Sequence, residues 1–178
     1  MLKKTKVAML AGSLMALSAC GGASLGIPGV QSALLPNGDS ASNAPAPTIT
    51  PNDESFGRLM NSYRDSVGVD AVAHDSRLDQ AAQAHAEDMA ENNYFSHTGR
   101  NGSTALDRIR ATGYDPNAYG ENIAGRQQTE SEALDAWINS RDHDRVLRAD
   151  SFEDFGLGVA GQGSRTRWVL IMGREKSD

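Results

Sequence analysis

Phe155-Gly156-Leu157-Gly158-Val159-Ala160, the turn Gly161-Gln162-Gly163-Ser164-Arg165, and Arg167-Trp168-Val169-Leu170-Ile171-Met172 decide the fold class of this chain. Two apolar runs of strand length flank a Gly-rich turn, which predicts a β-hairpin. Gly156-x-Gly158-x-x-Gly161 also matches the dinucleotide-binding string, but the glycines fall in a strand and its turn with no helix following. They read as relief of crowding or a bulge, not as a nucleotide site.

Upstream of the hairpin the apolar periodicity is helical. Phe56, Leu59, Met60, Tyr63 and Val67 recur at i, i+3, i+4, i+7 and i+11, one face of a first helix. A second helix opens at Ser76, with Asp79 three residues on as in a capping box, and aligns Leu78, Ala81, Ala82, His85 and Met89. A third runs from Ser103 to a stop at Gly113, and the T-x-x-E box of Thr129 and Glu132 starts a fourth that turns Ala133, Ala136 and Trp137 inward. Helices followed by strands predict an α+β domain in which helices cover an antiparallel sheet.

The N-terminal third reads as delivery apparatus. Lys3, Lys4 and Lys6 precede an apolar stretch, Val7 to Leu17, shorter than the roughly 20 residues a membrane-spanning helix needs, so residues 1–20 read as an export signal. The signal ends in Leu17-Ser18-Ala19-Cys20, which resembles the bacterial lipobox, and Cys20 is the only cysteine. That excludes an intrachain disulfide and a Cys-based zinc site. Lipidation at Cys20 would anchor the chain, since each buried acyl CH₂ contributes about 0.8 kcal/mol. Gly21 in place of Asp favours the outer membrane, by resemblance to Gram-negative lipoproteins. Five of six prolines lie between residues 28 and 51, and all ten aromatic residues lie from Phe56 onward. Residues 21–52 are therefore expected to form a Gly/Ser/Ala/Pro-rich flexible tether, and residues 53–178 one domain, expected to be a monomer. Cleavage of the signal leaves 14 basic against 23 acidic residues, net −9, which argues against nucleic acid as a partner.

Three polar residues stand out within the domain: His97 in Phe95-Ser96-His97, Glu121 in Gly120-Glu121-Asn122-Ile123-Ala124, and His143 in Trp137-Ile138-Asn139-Ser140-Arg141-Asp142-His143. They lie 24 and 22 residues apart, so only tertiary folding can bring them together. Two imidazoles and a carboxylate are donors that suit zinc or a similar divalent metal, with a position left for water or ligand. Asp142 and Asp144 are expected to orient the His143 ring. The competing reading gives Glu121 a scaffold role, capping backbone N–H groups of a turn or helix. His85, on the apolar helix face, reads as a core histidine, and Arg126, Arg141, Arg145 and Arg148 as a solvated rim. Tyr94, Tyr114 and Tyr119 flank the motifs as packing or cleft aromatics. The domain has no G-x-S-x-G elbow, no H-E-x-x-H and no cysteine, which argues against nucleophilic and zincin-type catalysis.

Leu78-x-x-Ala81-Ala82-x-x-His85-Ala86-x-x-Met89, Phe95-Ser96-His97, Arg108 with Gly113-Tyr114, Gly120-Glu121-Asn122-Ile123-Ala124, Trp137-x-x-Ser140-x-x-His143 and the Phe-Gly-x-Gly-Val hairpin occur in this order. Together they resemble a bacterial member of the CAP superfamily, which includes cysteine-rich secretory proteins, antigen 5 and plant pathogenesis-related proteins. The resemblance implies an α-β-α sandwich around a small antiparallel sheet, and a cleft whose histidines and acidic residues bind a divalent metal in some members. His97, Glu121 and His143 match positions of that cleft. Ser140 stands where eukaryotic relatives place a second Glu, and Thr166-Arg167-Trp168 where they place their second His. The expected function is a membrane-tethered lipoprotein that binds a small ligand, lipid or protein partner, with binding favoured over catalysis and enzymatic activity left open. The alternatives are a metal-dependent hydrolase with Glu121 as general base, and a structural adhesion module.

Overall fold

A computed structural model of the protein describes residue 51 and residues 53–177; the signal, Cys20 and the tether apart from Pro51 lie outside the described residues. The elements run α1 (Asp53–Ser66), β1 (Ala73–His74), α2 (Ser76–Glu91), α3 (Ala105–Ala111), β2 (Pro116–Gly125), α4 (Glu130–Ile138), α5 (Arg141–Leu147), β3 (Asp154–Ala160) and β4 (Arg167–Glu175), with one 3-10 turn at Gly163–Arg165. The α+β class follows the sequence. So does the hairpin, whose strands pair antiparallel from Asp154 opposite Gly173 to Ala160 opposite Arg167.

The strand order is β1-β3-β4-β2. β1 runs parallel to β3 over two residues, so the sheet is mixed and not purely antiparallel as expected. β2, which no strand-like run announced, pairs antiparallel with β4 and forms the opposite edge. Period-two alternation gives the sheet two apolar faces. Ala124, Phe155, Leu157, Val159, Trp168, Leu170 and Met172 pack with α1, α4 and α5 through Phe56, Met60, Trp137 and Leu147. Ile123, Val169 and Ile171 pack with α2 and α3 through Leu78, Ala82, Met89 and Ile109. This is the α-β-α sandwich.

Local capping differs from the sequence reading where a better acceptor lies one residue away. The N-cap of α2 is Asp75, whose extended backbone aims its carboxylate at the Arg77 N–H. Asp79 is thereby free for other work. On α1 the buried face is Phe56, Gly57, Met60 and Arg64, while Leu59 is 40% exposed and Val67 lies past the last helical residue. Arg64 is fully buried because its guanidinium caps backbone carbonyls: Asp70 O at 2.7 Å, Leu147 O at 2.6 Å and Ala149 O at 3.1 Å. A buried cation survives only with such acceptors. α3 takes Thr104 as N-cap, one residue after the expected start, with a full capping box to Asp107, and Gly113 follows it at φ +86°. α4 starts from Thr129 as expected, and Leu134 joins Ala133 and Trp137 in the core where Ala136 was expected.

α2 lies so close to β3 that side chains are excluded from two strand positions. A Cβ on Gly156 would stand 2.2 Å from Leu78 C, and one on Gly158 2.4 Å from Ala82 C, both helix backbone atoms. The same approach lets α2 complete the edge of β3. Asp79 Oδ1 accepts the Leu157 N–H at 2.8 Å, and Gln83 Oε1 accepts the Val159 N–H at 2.9 Å.

His85 lies on α2 at 1% exposure. Its Nε2 donates to Ser96 O at 2.8 Å, while Nδ1 is buried without a hydrogen-bond partner. Burial first, then the Arg108 guanidinium, pushes its pKa below the ordinary histidine value, against the weaker pull of Glu121 and Asp88.

Two outcomes follow from this packing. Gly158→Ala is expected to destabilise the domain by roughly 1–3 kcal/mol or more, read as a lowered midpoint in urea unfolding, because helix backbone cannot yield as a flexible side chain can. Because His85 folds neutral, the unfolded chain takes up its proton first as pH falls, so stability declines below about pH 6.5. Asp75 and Asp88, held below the usual carboxylate range by Arg77 and Tyr94 respectively, add acid sensitivity only near pH 4 and under. Urea midpoints at about pH 7.5 and pH 5.5 should therefore differ, and His85→Gln, which keeps a donor in place of Nε2 but has nothing to titrate there, should narrow the difference.

Candidate functional site

The candidate site forms around β2, the edge strand. Arg126 N–H donates to Thr166 O at 3.0 Å, which extends the β2–β4 register by one pair. Backbone groups of even-numbered β2 residues therefore face β4, and those of Tyr119, Glu121, Ile123 and Gly125 turn outward. The outward groups have no hydrogen-bond partner among the described residues. Side chains alternate in the other sense. Glu121 points to the α2/α3 face, whereas Gly120 and Asn122 point to the α5 face, where a Cβ on Gly120 would meet Val146 and Phe152.

Glu121 is 4% exposed in its side chain and holds two partners. Oε1 accepts from His97 Nδ1 at 2.7 Å and Oε2 from Arg108 at 2.7 Å. Arg108 also bonds His97 O at 3.2 Å and Ser103 O at 3.1 Å, so a single guanidinium fixes both the carboxylate and the loop that carries His97. His85 fixes the same loop through Ser96 O. The carboxylate takes side-chain donors, not the backbone N–H groups of the scaffold reading. Arg108, nearly buried, is the functional residue that the sequence reading left without a role; its i+13 spacing to Glu121 gave no local signal.

His97 is exposed and its Nδ1 is occupied by Glu121, which leaves Nε2 facing outward as the free ring nitrogen. His143 lies on α5 across the edge strand, where Asn122 Nδ2 donates to its backbone O at 3.0 Å. Burial lowers the His143 pKa, and the charge of His97 lowers it further, so the two rings share one electrostatic neighbourhood. The sequence-predicted trio thus gathers at one place with different degrees of closure. His97 and Glu121 touch, but the three do not bring their ligand atoms within 4.8 Å of one another.

The aspartates flanking His143 do not hold its ring. Asp142 pairs with Arg145 at 2.6 Å, and Asp144 accepts from the Tyr63 hydroxyl and lies 3.4 Å from Arg148. These bonds tie α5 to α1 and to itself, a helical i, i+3 and i, i+4 pattern that outcompetes contact with the ring. Of the tyrosines, Tyr114 is fully buried and donates to Asp154 at 2.7 Å, while Tyr119 is 44% exposed on β2. Phe95, 53% exposed, lies under the Arg167 guanidinium and against Gly125.

The donor set suits an imidazole-bound metal in one respect. A carboxylate on Nδ1 fixes the tautomer that presents Nε2 to a cation, the carboxylate–histidine arrangement common behind metal sites. Glu121, with Arg108 on its other oxygen, fits the place behind His97 better than a place beside the ion. The cation's further ligands would be His143 and solvent.

Residues 58–172 match the family described as CAP: Cysteine-rich secretory protein family. The chain is 29% identical over 126 residues to YkwD of Bacillus subtilis (strain 168), an alignment that covers 71% of this chain and 49% of YkwD. It is 34% identical over 101 residues to the membrane protein YlbC of the same organism, covering 57% of this chain and 29% of YlbC. The chain thus spans about half the length of one curated relative and less of the other. Among solved structures, an extracellular protein containing an SCP domain from Bacillus anthracis str. Ames superposes with a TM-score of 0.61 at 30% identity, over 68% of this chain and 40% of that one. An outer surface protein from Borrelia burgdorferi shares the fold, with a TM-score of 0.63 at 20% identity over 72% of this chain and 98% of that one. With its five-helix, four-strand sandwich and the Arg108–Glu121–His97 cluster at the edge strand, this chain belongs to the CAP, or cysteine-rich secretory protein, family.

Proposed function

We propose that this CAP domain is an exported binding module, held at the cell envelope by lipid on Cys20, whose cleft at His97, Glu121 and His143 takes a small ligand, a lipid or a protein partner. The observation that carries the reading is the Arg108–Glu121–His97 relay of two 2.7 Å bonds, which presents one imidazole nitrogen to the outside on a rigid base. Buried charges paired in this way serve positioning. A divalent metal such as zinc, when bound, would supply a Lewis acid able to anchor an oxygen or nitrogen of the ligand. The chain's own residues orient His97, set its tautomer and shield the carboxylate from water.

Binding fits these residues better than hydrolysis. A general base must aim a free lone pair at a water, and the oxygens of Glu121 are directed to His97 and Arg108. Exposed Phe95 and Tyr119 add aromatic surface of the kind that binding sites use. The relatives from Bacillus anthracis and Borrelia burgdorferi, described as an extracellular and an outer surface protein, support export.

Two measurements test the reading. Zinc uptake by the purified protein should fall in His97→Ala and in His143→Ala, and uptake untouched by either substitution would remove the metal from the cleft. Cys20→Ser should move the protein from the membrane to the soluble fraction, whereas retention in the membrane would refute the lipid anchor.

A further inference from the structure

Asp53, His74 and Asp79 come from three elements, the first residue of α1, the end of β1 and the first turn of α2. Each nevertheless offers a ligand atom within 4.8 Å of the other two. Nε2 of His74 contacts Oδ2 of Asp79 and stands 3.5 Å from Oδ2 of Asp53. Ligand atoms about 2.0–2.1 Å from a tetrahedral cation stand roughly 3.4 Å from each other, so the Asp53–His74 spacing already fits one. None of these residues belongs to the cleft.

Three observations set the group apart from a surface ion pair. One ring nitrogen carries at most one proton, so Nε2 cannot donate fully to both carboxylates. The other oxygen of Asp53, Oδ1, is shut off from solvent and has no hydrogen-bond partner. The charges around Asp53 are unbalanced. Burial, the largest effect, pushes its carboxyl up, and Asp79 and Glu130 push the same way, against the pull of His74 and of a hydrogen bond from its own backbone N–H. Arg58 lines the same groove but is turned to Glu54 at 2.6 Å.

The surrounding structure aims these donors. Leu157 N–H holds Oδ1 of Asp79 at 2.8 Å, which leaves Oδ2 for the group. The His74 ring packs edge-on against Phe155 with centroids 5.6 Å apart. An open groove of about 550 Å³ along Asp53, Gly57, His74 and Phe155 gives an ion its entry.

We propose that Asp53, His74 and Asp79 form a divalent-cation site of zinc type, separate from the cleft, that fastens the first turn of α1 to β1 and α2. One imidazole and two carboxylates suit zinc better than calcium or magnesium, which favour all-oxygen shells. Open positions on the ion are filled by water from the groove. Binding requires the neutral ring and both carboxylates ionised, so it releases any proton the group shares. The site acts as a clamp, because three separate elements must be folded before their side chains can meet.

The test removes the cleft first. The purified protein carrying both His97→Ala and His143→Ala is titrated with Zn²⁺ alone, by calorimetry and by thermal unfolding. It should still bind about one equivalent and melt at a higher temperature with zinc than with chelator. Adding His74→Ala should abolish both effects, and adding Asp53→Asn, at the rim of the fold, should weaken binding by roughly tenfold or more. In NMR, the His74 ring resonances of the cleft-deficient protein should shift on zinc addition. If that folded protein binds no zinc, or binds it unchanged after His74→Ala and Asp53→Asn, the proposal is overturned and the group is an ion pair. A fall in zinc uptake on removing His97 and His143 that still leaves about one equivalent bound bears on the cleft alone, whereas loss of that remaining equivalent with His74→Ala bears on this site alone, so the two sites fail independently.

Discussion

The close approach of α2 to β3 is the constraint on which the rest of the structure depends. Gly156 and Gly158 remove the side chains that would hold helix and strand apart, and Asp79 and Gln83 then reach the strand backbone. Once α2 is seated, Leu78, Ala82 and Met89 meet Val169 and Ile171 across the sheet. The helix also carries His85, which holds Ser96, and thereby delivers His97 to the cleft. A core contact and the geometry of the candidate site are thus set by the same two glycines.

The sheet has unequal edges, and the inequality places the candidate site. At β3, helix side chains satisfy backbone groups beyond the short β1 pairing. At β2, nothing among the described residues takes the outward groups of Tyr119, Glu121, Ile123 and Gly125. Residues from both faces, His97 on one side and His143 on the other, can converge only where the sheet stops. The edge strand therefore divides the site as well as carrying Glu121.

Much of this is legible in the sequence, and the parts that are not have physical causes. The hairpin shows itself because two apolar runs with both faces buried flank a turn. The glycine string lies against α2, where a Cβ on Gly156 or Gly158 would meet helix backbone. β2 escapes a sequence reading because Pro116-Asn-Ala-Tyr-Gly-Glu-Asn-Ile-Ala-Gly125 has few β-favouring residues, and its pairing is set by β4 and not by propensity. His97 and Glu121 stand out by residue type and motif, and their contact is real; the part of Arg108 is hidden because a guanidinium at i+13 leaves no periodic trace. The cap of α2 goes to Asp75 because its backbone is extended there, a matter of φ and ψ that residue type does not encode. Arg64 is invisible for the opposite reason, since a helical arginine reads as solvent-facing until the carbonyls it caps are known.

An edge strand of ten residues whose outward groups have no partner among the described residues has a consequence for how the molecule behaves in a crowd. Outward N–H and C=O groups in a row are a template on which a second copy could add itself, strand to strand, and so begin a polymer. β2 carries three of the usual protections against this. Pro116 opens it with no N–H to offer, the register shifts between Pro116 and Ala118, and charged Glu121 and Arg108 sit beside its middle. The Arg108–Glu121–His97 cluster lies at the middle of that template, so the charges proposed to serve binding stand where a second strand would have to add.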